Sequence, residues 1–231
     1  MSEYDTTSLR LDAETLSAMH AADIADIFEH TTPEEHALIM SILDADKRAD
    51  LLVYLDAHER RGLLGLRSPA QIAELVGELE SDDAADVLGE LEEHTQIRVL
   101  AAIESEDPNE AQEVRALMDY PADTAGGLMQ AEIASITYGA SSAEALEVLR
   151  ASQDDADSMH FIFVTDKQRK FIGVVRMARL ALAHPSSPIA EIFEPKFVEV
   201  QAHVDQEEVA QLFAKYDIIT LAVVDENERL L

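Results

Sequence analysis

Residues 63–100 read LLGLRSPAQIAELVGELESDDAADVLGELEEHTQIRVL, and an apolar pair recurs in this stretch every twelve residues. The same spacing extends back to residue 27. The pairs are Ile27-Phe28, Ile39-Met40, Leu51-Leu52, Leu63-Leu64, Leu75-Val76, Val87-Leu88 and Val99-Leu100. A third apolar residue follows most pairs by three positions, which places the three side chains on one helical face. Each unit is therefore predicted to be a short amphipathic helix followed by a turn.

Helix-start signals lie between the pairs. Thr32-Pro33-Glu34-Glu35 and Ser68-Pro69-Ala70-Gln71 each combine an N-cap residue, a first-turn Pro and a capping-box acceptor. Short helices at a fixed period cannot bury their apolar faces alone, so they stack on one another. Residues 12–118 are therefore predicted to form an all-α, superhelical domain of the solenoid type, after an N-terminal tail at 1–11.

The composition excludes several classes of function. The chain has 231 residues, with 47 Asp and Glu against 17 Lys and Arg, and a formal charge of −30. Such a charge repels nucleic-acid backbones, so no nucleic-acid partner is expected. The absence of Cys excludes disulfides and thiolate chemistry. With no apolar run long enough for a membrane span and no signal peptide, we expect a soluble protein on the cytoplasmic side.

Acidic residues are concentrated between Glu78 and Glu93, a stretch without Lys or Arg. Within it, Asp82, Asp86 and Glu90 are spaced i, i+4, i+8, which predicts a column of like charge on one helical face. Asp50 lies three twelve-residue units before Asp86, at the same phase of the repeat. These acids are candidates for binding a cation.

The second half of the sequence has a different pattern of predicted elements. Residues 119–130 contain a Pro and a Gly pair and are predicted to be a hinge or linker. A β-α-β-β-α pattern follows at 131–190, and it begins again at 191–231 but stops before its last strand and helix. We therefore expect a multidomain α and α/β protein whose second copy is incomplete, and a chain that is a fragment of a longer protein.

These features together resemble a known family. The paired β-α-β-β-α units look like a tandem CBS (Bateman) module. The order of an acidic helical domain, the stretch DYPADTAGGLM at 119–129 and two CBS motifs is similar to the cytosolic region of the MgtE family of magnesium channels. The resemblance implies regulation by Mg²⁺, which bridges carboxylates of the two domains, closes them and shuts a transmembrane pore carried by the same full-length chain. It also implies a homodimer formed through the CBS motifs.

The resemblance also implies a ligand set, with further ligands expected beyond Leu231. The implied Mg²⁺ ligands are Asp50, Asp82 and Asp86 in the helical domain, and Asp205, Glu207 and Asp217 in the CBS module. Each acid also has a structural explanation. Asp205 is a typical N-cap, Asp82 suits the positive end of a helix dipole, and excess acid favours solubility.

Two other functions remain open. One is a nucleotide-responsive CBS regulator, and the other is an acidic scaffold that binds a basic partner. CBS nucleotide sites use a Ser or Thr and an Asp after the last strand of a motif, where this chain has Arg176 and Arg179. ATP binding is therefore not expected. The eight His residues are scattered and no catalytic motif is present, so no enzyme activity is expected either.

Overall fold

Helices in the first half begin at a fixed interval. The computed structural model describes residues 13–131, 133–151, 160–195 and 197–231, so the predicted tail at 1–11 lies outside the described residues. The helices of this half are α1 Ala13–Ala18, α2 Ala21–Phe28, α3 Pro33–Ile42, α4 Ala45–Tyr54, α5 Ala57–Leu64, α6 Pro69–Val76, α7 Ser81–Gly89, α8 Glu93–Glu106 and α9 Pro108–Leu117. From α2 to α8, each helix starts twelve residues after the one before it. The predicted twelve-residue unit of one helix and one turn is confirmed.

The N-cap position therefore also recurs every twelve residues. At Thr32 and Ser68 both predicted capping boxes are present, with the cap side chain and the N3 side chain each accepting a backbone N–H. The side chains of Asp44, Asp56 and His20 also accept a first-turn N–H. Because each such cap satisfies a backbone donor that the helix leaves open, these side chains help to fix where α2 to α6 begin.

The apolar pairs form the core of this half. Leu51 and Leu52 are fully buried, and the later pairs are buried in the same way. Helix α4 packs against α2, α6 and α7, and α6 also packs against α8. Most contacts are thus between helices two positions apart in the chain, which is the arrangement expected of a stacked helical array.

The second half contains six strands and three α-helices among its described residues. They are β1 Ser135–Thr137, α10 Ser142–Ala151, β2 Phe161–Thr165, β3 Phe171–Arg176, α11 Met177–Leu182, β4 Glu194–Pro195, β5 Glu199–Gln201, α12 Gln206–Tyr216 and β6 Ala222–Val224. A 3-10 helix spans Ile189–Glu191. The contacts divide the chain into two compact units, one ending at Gln112 and the other running from Glu113 to Leu231.

The predicted internal repeat is visible in the strand pairing. Strands β1 and β2 are parallel and joined through α10, and β5 and β6 are parallel and joined through α12. In the first copy, β2, β3 and β4 continue the sheet in antiparallel order, giving the strand order β1-β2-β3-β4. In the second copy, a bridge from Val224 to Leu230 marks the start of the strand that would correspond to β3.

The turns of the two copies are built alike. Asp166 accepts the backbone N–H groups of Gln168 and Lys170 at 2.8 and 3.0 Å. Asp225 accepts those of Asn227 and Arg229, both at 2.8 Å. Arg169 and Glu228 take the same left-handed conformation, with φ of 64° and 63°. The two copies therefore have the same turn hydrogen bonds at equivalent positions.

The segment at 119–130 packs closely within the second unit. Ala125 N and Gly126 N donate to the carbonyls of Val204 and Ala202, both at 2.7 Å. A Cβ on Gly126 would lie 2.5 Å from the ring of Tyr120, so only glycine fits there. Among the residues of known placement, no helix has the length and apolar character needed to cross a membrane.

Gly173 gives a direct test of the sheet packing. Its φ is +151°, and a Cβ there would overlap the carbonyl oxygen of Glu194 on β4. We expect Gly173→Ala to lower the free energy of unfolding by about 2 kcal/mol, because it adds backbone strain and displaces β4. Gly139→Ala is the matched control, since a Cβ at this position would meet nothing within 4 Å and its φ is ordinary. Urea denaturation of both variants measures the difference, and equal stability would contradict the packing described.

Candidate functional site

The acids of α7 lie on a helix in the first unit. Asp82 and Asp83 occupy its first turn, Asp86 follows one turn later, and Glu90 is the C-cap residue. The predicted column of charge is therefore present, but its last member is neutralised. Glu90 forms an ion pair with Arg60 at 3.4 Å, and both side chains are mostly buried.

Asp83 and Asp86 are partly desolvated carboxylates. Burial raises the pKa of Asp83, and the charges of Asp86 and Asp50 raise it further, while Arg60 acts in the opposite direction. Burial also raises the pKa of Asp86, again opposed by Arg60. A raised pKa means that the folded protein disfavours the negative charge. These two acids would therefore gain from a cation that neutralises them.

Asp50 belongs to the same group. It is the sixth residue of α4, as Asp86 is the sixth residue of α7, and these two helices pack against each other. The effect of Asp50 on the pKa of Asp83 shows that the acids of the two helices share one region of the surface. Asp50 and Asp86 have the same position in the twelve-residue repeat, and equivalent positions of stacked helices lie on one side of the array. The repeat therefore explains why the two acids are neighbours.

Sequence reasoning missed two members of this region. Asp83 was not among the predicted ligands, although its pKa responds to both Asp50 and Asp86. Arg60 on α5 is the local cation, and its Nη2 also donates to the carbonyl of Leu55 at 2.7 Å. The sequence could have indicated Asp83, because it lies three residues before Asp86 and therefore on the same side of α7. No local signal identified Arg60, because its partner Glu90 is thirty residues away.

The three candidates of the second unit lie at the two ends of α12. Asp205 is the N-cap, as the structural explanation predicted, and its carboxylate accepts the N–H of Glu207 at 2.8 Å. Glu207 lies in the first turn and borders an open, largely apolar groove of about 450 Å³. Asp217 is the C-cap residue, in the left-handed conformation with a φ of 50°.

Helix geometry separates these acids into two groups. Asp217 follows Asp205 by twelve positions, which corresponds to about 18 Å along the helix axis. One ion with ligand distances near 2 Å cannot contact both ends. Within the described ranges, no three His, Asp or Glu side chains converge closely enough to hold a metal ion.

The two arginines at the position of a CBS nucleotide site share one carboxylate. Arg176 Nε donates to both oxygens of Glu194 at 3.0 Å, and Arg179 Nε lies 3.4 Å from Glu194 Oε1. The guanidinium of Arg176 also stacks over the ring of Phe161, 5.3 Å from its centroid. The local positive charge of this pair is therefore partly neutralised by the protein itself.

Sequence comparison relates about half of this chain to a known family. A family model described as the MgtE intracellular N domain matches residues 19–123. The magnesium transporter MgtE of Thermus thermophilus is 43% identical over 124 residues, which is 54% of this chain and 28% of that protein. The magnesium transporter MgtE of Enterococcus faecalis is 31% identical over 122 residues, or 53% of this chain and 27% of that protein.

Solved structures extend the likeness over both units. The cytosolic domain of the Mg²⁺ channel MgtE, solved in complex with ATP, has a TM-score of 0.79 and 33% identity, and the match covers 94% of this chain and 88% of that domain. The soluble part of a magnesium transporter has a TM-score of 0.81 and 25% identity, covering 94% and 85% of the two chains. The predicted fold, a helical domain followed by a CBS pair, is confirmed.

The raised pKa of Asp83 predicts a pH-dependent effect on stability. Above the folded-state pKa, Asp83 carries a charge that the fold disfavours, so we expect Asp83→Asn to raise the free energy of unfolding at pH 7 by about 0.5 kcal/mol. As the pH falls through the folded-state pKa toward the ordinary value, Asp83 takes up a proton and the difference between the two proteins disappears. Thermal melts between pH 7 and pH 4 measure this difference.

Asp46→Asn is the control for this experiment. Asp46 is exposed and lies in the first turn of α4, as Asp83 lies in the first turn of α7. This substitution should not stabilise the protein at pH 7. A destabilised Asp83→Asn variant, or a stabilisation that is the same at pH 7 and pH 4, would contradict the assignment.

Proposed function

Because this chain belongs to the MgtE family of magnesium transporters, we propose that it is a magnesium-sensing regulatory region. Its ligand is Mg²⁺, and the candidate ligands are the six predicted acids together with Asp83. The observation that carries this proposal is the group formed by Asp50, Asp83 and Asp86: burial raises the pKa of Asp83 and of Asp86, and the charges of Asp86 and Asp50 raise the pKa of Asp83 further. A bound cation relieves that cost directly.

The ligand chemistry supports Mg²⁺. Mg²⁺ prefers oxygen ligands in octahedral geometry, loses its water reluctantly and is usually held by one or two carboxylates with several waters. The six predicted ligands are all carboxylates, and they lie at the surface of their units, where a hydrated ion has access. Since Asp205 and Asp217 lie at opposite ends of α12, the proposal requires more than one ion.

We further propose that Mg²⁺ joins carboxylates of the helical unit to those of the CBS unit and so favours a closed arrangement. Without the ion the acidic surfaces repel. At an effective dielectric constant near 20, two unit charges about 4 Å apart repel by about 4 kcal/mol, and salt reduces this value at exposed sites. An ion that binds the closed state more tightly shifts the equilibrium toward it.

The proposed role in the whole protein follows from the relatives. The matched residues cover only 28% of the Thermus thermophilus transporter and 27% of the Enterococcus faecalis transporter. We propose that the full-length protein carries a transmembrane pore, that closure of the present region shuts it, and that two chains pair through their CBS motifs. The region itself is proposed to lie on the cytoplasmic side of the membrane and to act as a sensor without enzyme activity.

Small-angle scattering at constant ionic strength tests the proposal. We expect the radius of gyration to fall saturably with Mg²⁺, while K⁺ at the same ionic strength leaves it unchanged. We expect Asp82→Asn with Asp86→Asn to raise the Mg²⁺ concentration at half-saturation about tenfold, equivalent to about 1.4 kcal/mol. Asp205→Asn should act in the same direction without loss of stability, because Asn is as good an N-cap as Asp.

The matched control removes two charges elsewhere in the same unit. Asp23 and Asp26 are exposed on α2, so Asp23→Asn with Asp26→Asn should leave the Mg²⁺ response unchanged. An equal weakening in this control would show that only the total charge matters. Compaction by K⁺ as strong as that by Mg²⁺ would favour the acidic scaffold that binds a basic partner.

Nucleotide binding is the second candidate function. The likeness to a cytosolic domain solved in complex with ATP weighs against the expectation from sequence that ATP does not bind. The side chains that would attract its phosphates in the first CBS copy are Arg176 and Arg179, at the end of β3 and in α11. Both would have to exchange Glu194 for the nucleotide, which predicts weak binding.

Isothermal titration with ATP tests this candidate. We expect binding that Arg176→Gln weakens at least tenfold, because one of the two phosphate-attracting charges is lost. Glu194→Gln should strengthen it, since the competing carboxylate is removed. Arg169→Gln, an exposed turn residue of the same unit, is the control and should bind like the parent chain. No saturable heat from ATP would remove this candidate and leave the magnesium proposal intact.

A further inference from the structure

A cavity in the acidic helical unit is lined by two arginines. It has a volume of about 260 Å³ and lies between α3, α4 and α6. Met40 and Leu75 are its buried apolar residues. Its polar residues include Arg48 on α4, Arg67 just before α6, and Gln71 and Glu74 on α6. None of these residues belongs to the magnesium site proposed above.

Neither arginine has a carboxylate partner in the described part of the chain. Arg48 Nε donates to the carbonyl of Asp44 at 3.1 Å, and Arg67 Nη1 donates to the carbonyl of Leu63. Each guanidinium has five N–H donors, so most of them are still available. Arg60 of the same unit differs, because it forms an ion pair with Glu90.

The two guanidinium groups also disfavour each other. Burial lowers the pKa of Arg67, and the positive charge of Arg48 lowers it further. Two like charges that line one half-buried cavity are destabilising unless an anion lies between them. Glu74 also lines the cavity but forms no ion pair with either arginine in the described part of the chain, so both guanidinium groups remain open to an external anion.

We propose that this cavity binds a small phosphate monoester, whose phosphate group is held by Arg48 and Arg67. Two arginine charges match a phosphate monoester, which carries about −1.5 to −2 near pH 7, better than they match a single carboxylate. Arginine also holds phosphate oxygens with paired, parallel N–H bonds. The Oε1 of Gln71 is occupied by the Ser68 capping box, which leaves the Nε2 amide as a further donor.

Size and charge limit the ligand to one phosphate group. Cavities that hold drug-sized molecules begin at about 300 Å³, so this one suits a smaller compound. Glu74 lines the same cavity and would repel a second phosphate, while its carboxylate can accept a hydroxyl of the ligand. This separates the cavity from the ATP candidate at Arg176 and Arg179, which lies in the other unit.

Nuclear magnetic resonance of the full chain tests the proposal. Glycerol 3-phosphate and inorganic phosphate are titrated without Mg²⁺, at an ionic strength held constant with KCl, and amide shifts are followed. We expect saturable shifts in residues 37–48 and 67–75, with glycerol 3-phosphate binding at least as tightly as inorganic phosphate and more tightly than ATP. Arg48→Gln and Arg67→Gln should each weaken binding at least tenfold.

Arg61→Gln is the matched control, because Arg61 is exposed and its Nε donates to the carbonyl four residues earlier, as that of Arg48 does. It should bind like the parent chain. If Arg67→Gln fails to fold, its spectrum shows this and Arg48→Gln carries the test. An equal loss in Arg61→Gln, shifts reproduced by KCl alone, or shifts confined to the second unit would overturn the proposal.

Discussion

The first unit depends on one constraint, the fixed interval of twelve residues between helix starts. An isolated helix of eight to ten residues is shorter than the roughly 12–15 residues needed for marginal stability in water, so each helix here requires its neighbours. The interval supplies them, because each helix from α2 to α8 presents an apolar pair at the same phase, and α2 to α6 each begin after a residue whose side chain caps the helix. The same twelve-residue interval therefore determines both where a helix is capped and which of its side chains are buried. A one-residue insertion within a helix, ahead of its apolar pair, would rotate that pair by about 100° and turn it away from the core.

The same register determines where charge accumulates. Residues at one phase of stacked helices lie on one side of the array, which is why Asp50 and Asp86 belong to the same region although they are far apart in sequence. The array also brings Asp83 near both, and it sets Arg60 beside Glu90. Repeat architecture thus converts a simple sequence period into a concentrated acidic surface. Burial raises the pKa of Asp83 and of Asp86 there, and the neighbouring acids raise the pKa of Asp83 further.

Features that depend on local sequence could be predicted, and those that depend on distant pairing could not. The period of the apolar pairs, both capping boxes and the second β-α-β-β-α copy were all predicted, because each is fixed by residues within a few positions of one another. The role of Asp205 as an N-cap was predicted on the same basis. Two sets of ion pairs could not be predicted, because their partners meet only after the helices and strands have packed. They are Arg60 with Glu90, and Arg176 and Arg179 with Glu194.

A regulatory ion must bind one conformational state of the protein more tightly than the other, because an ion with equal affinity for both does not shift the equilibrium between them. Mg²⁺ keeps much of its hydration, so individual carboxylates contribute little to its affinity, and a specific effect must come from the cost of the unliganded state. Asp83 and Asp86 supply such a cost, because burial disfavours both charges in the folded protein and neighbouring acids add to the cost at Asp83. Fully exposed acids would be screened by salt and would respond equally to K⁺. In the proposed function, partial burial of a few aspartates is therefore what would let a surface with so many acids respond selectively to a divalent ion.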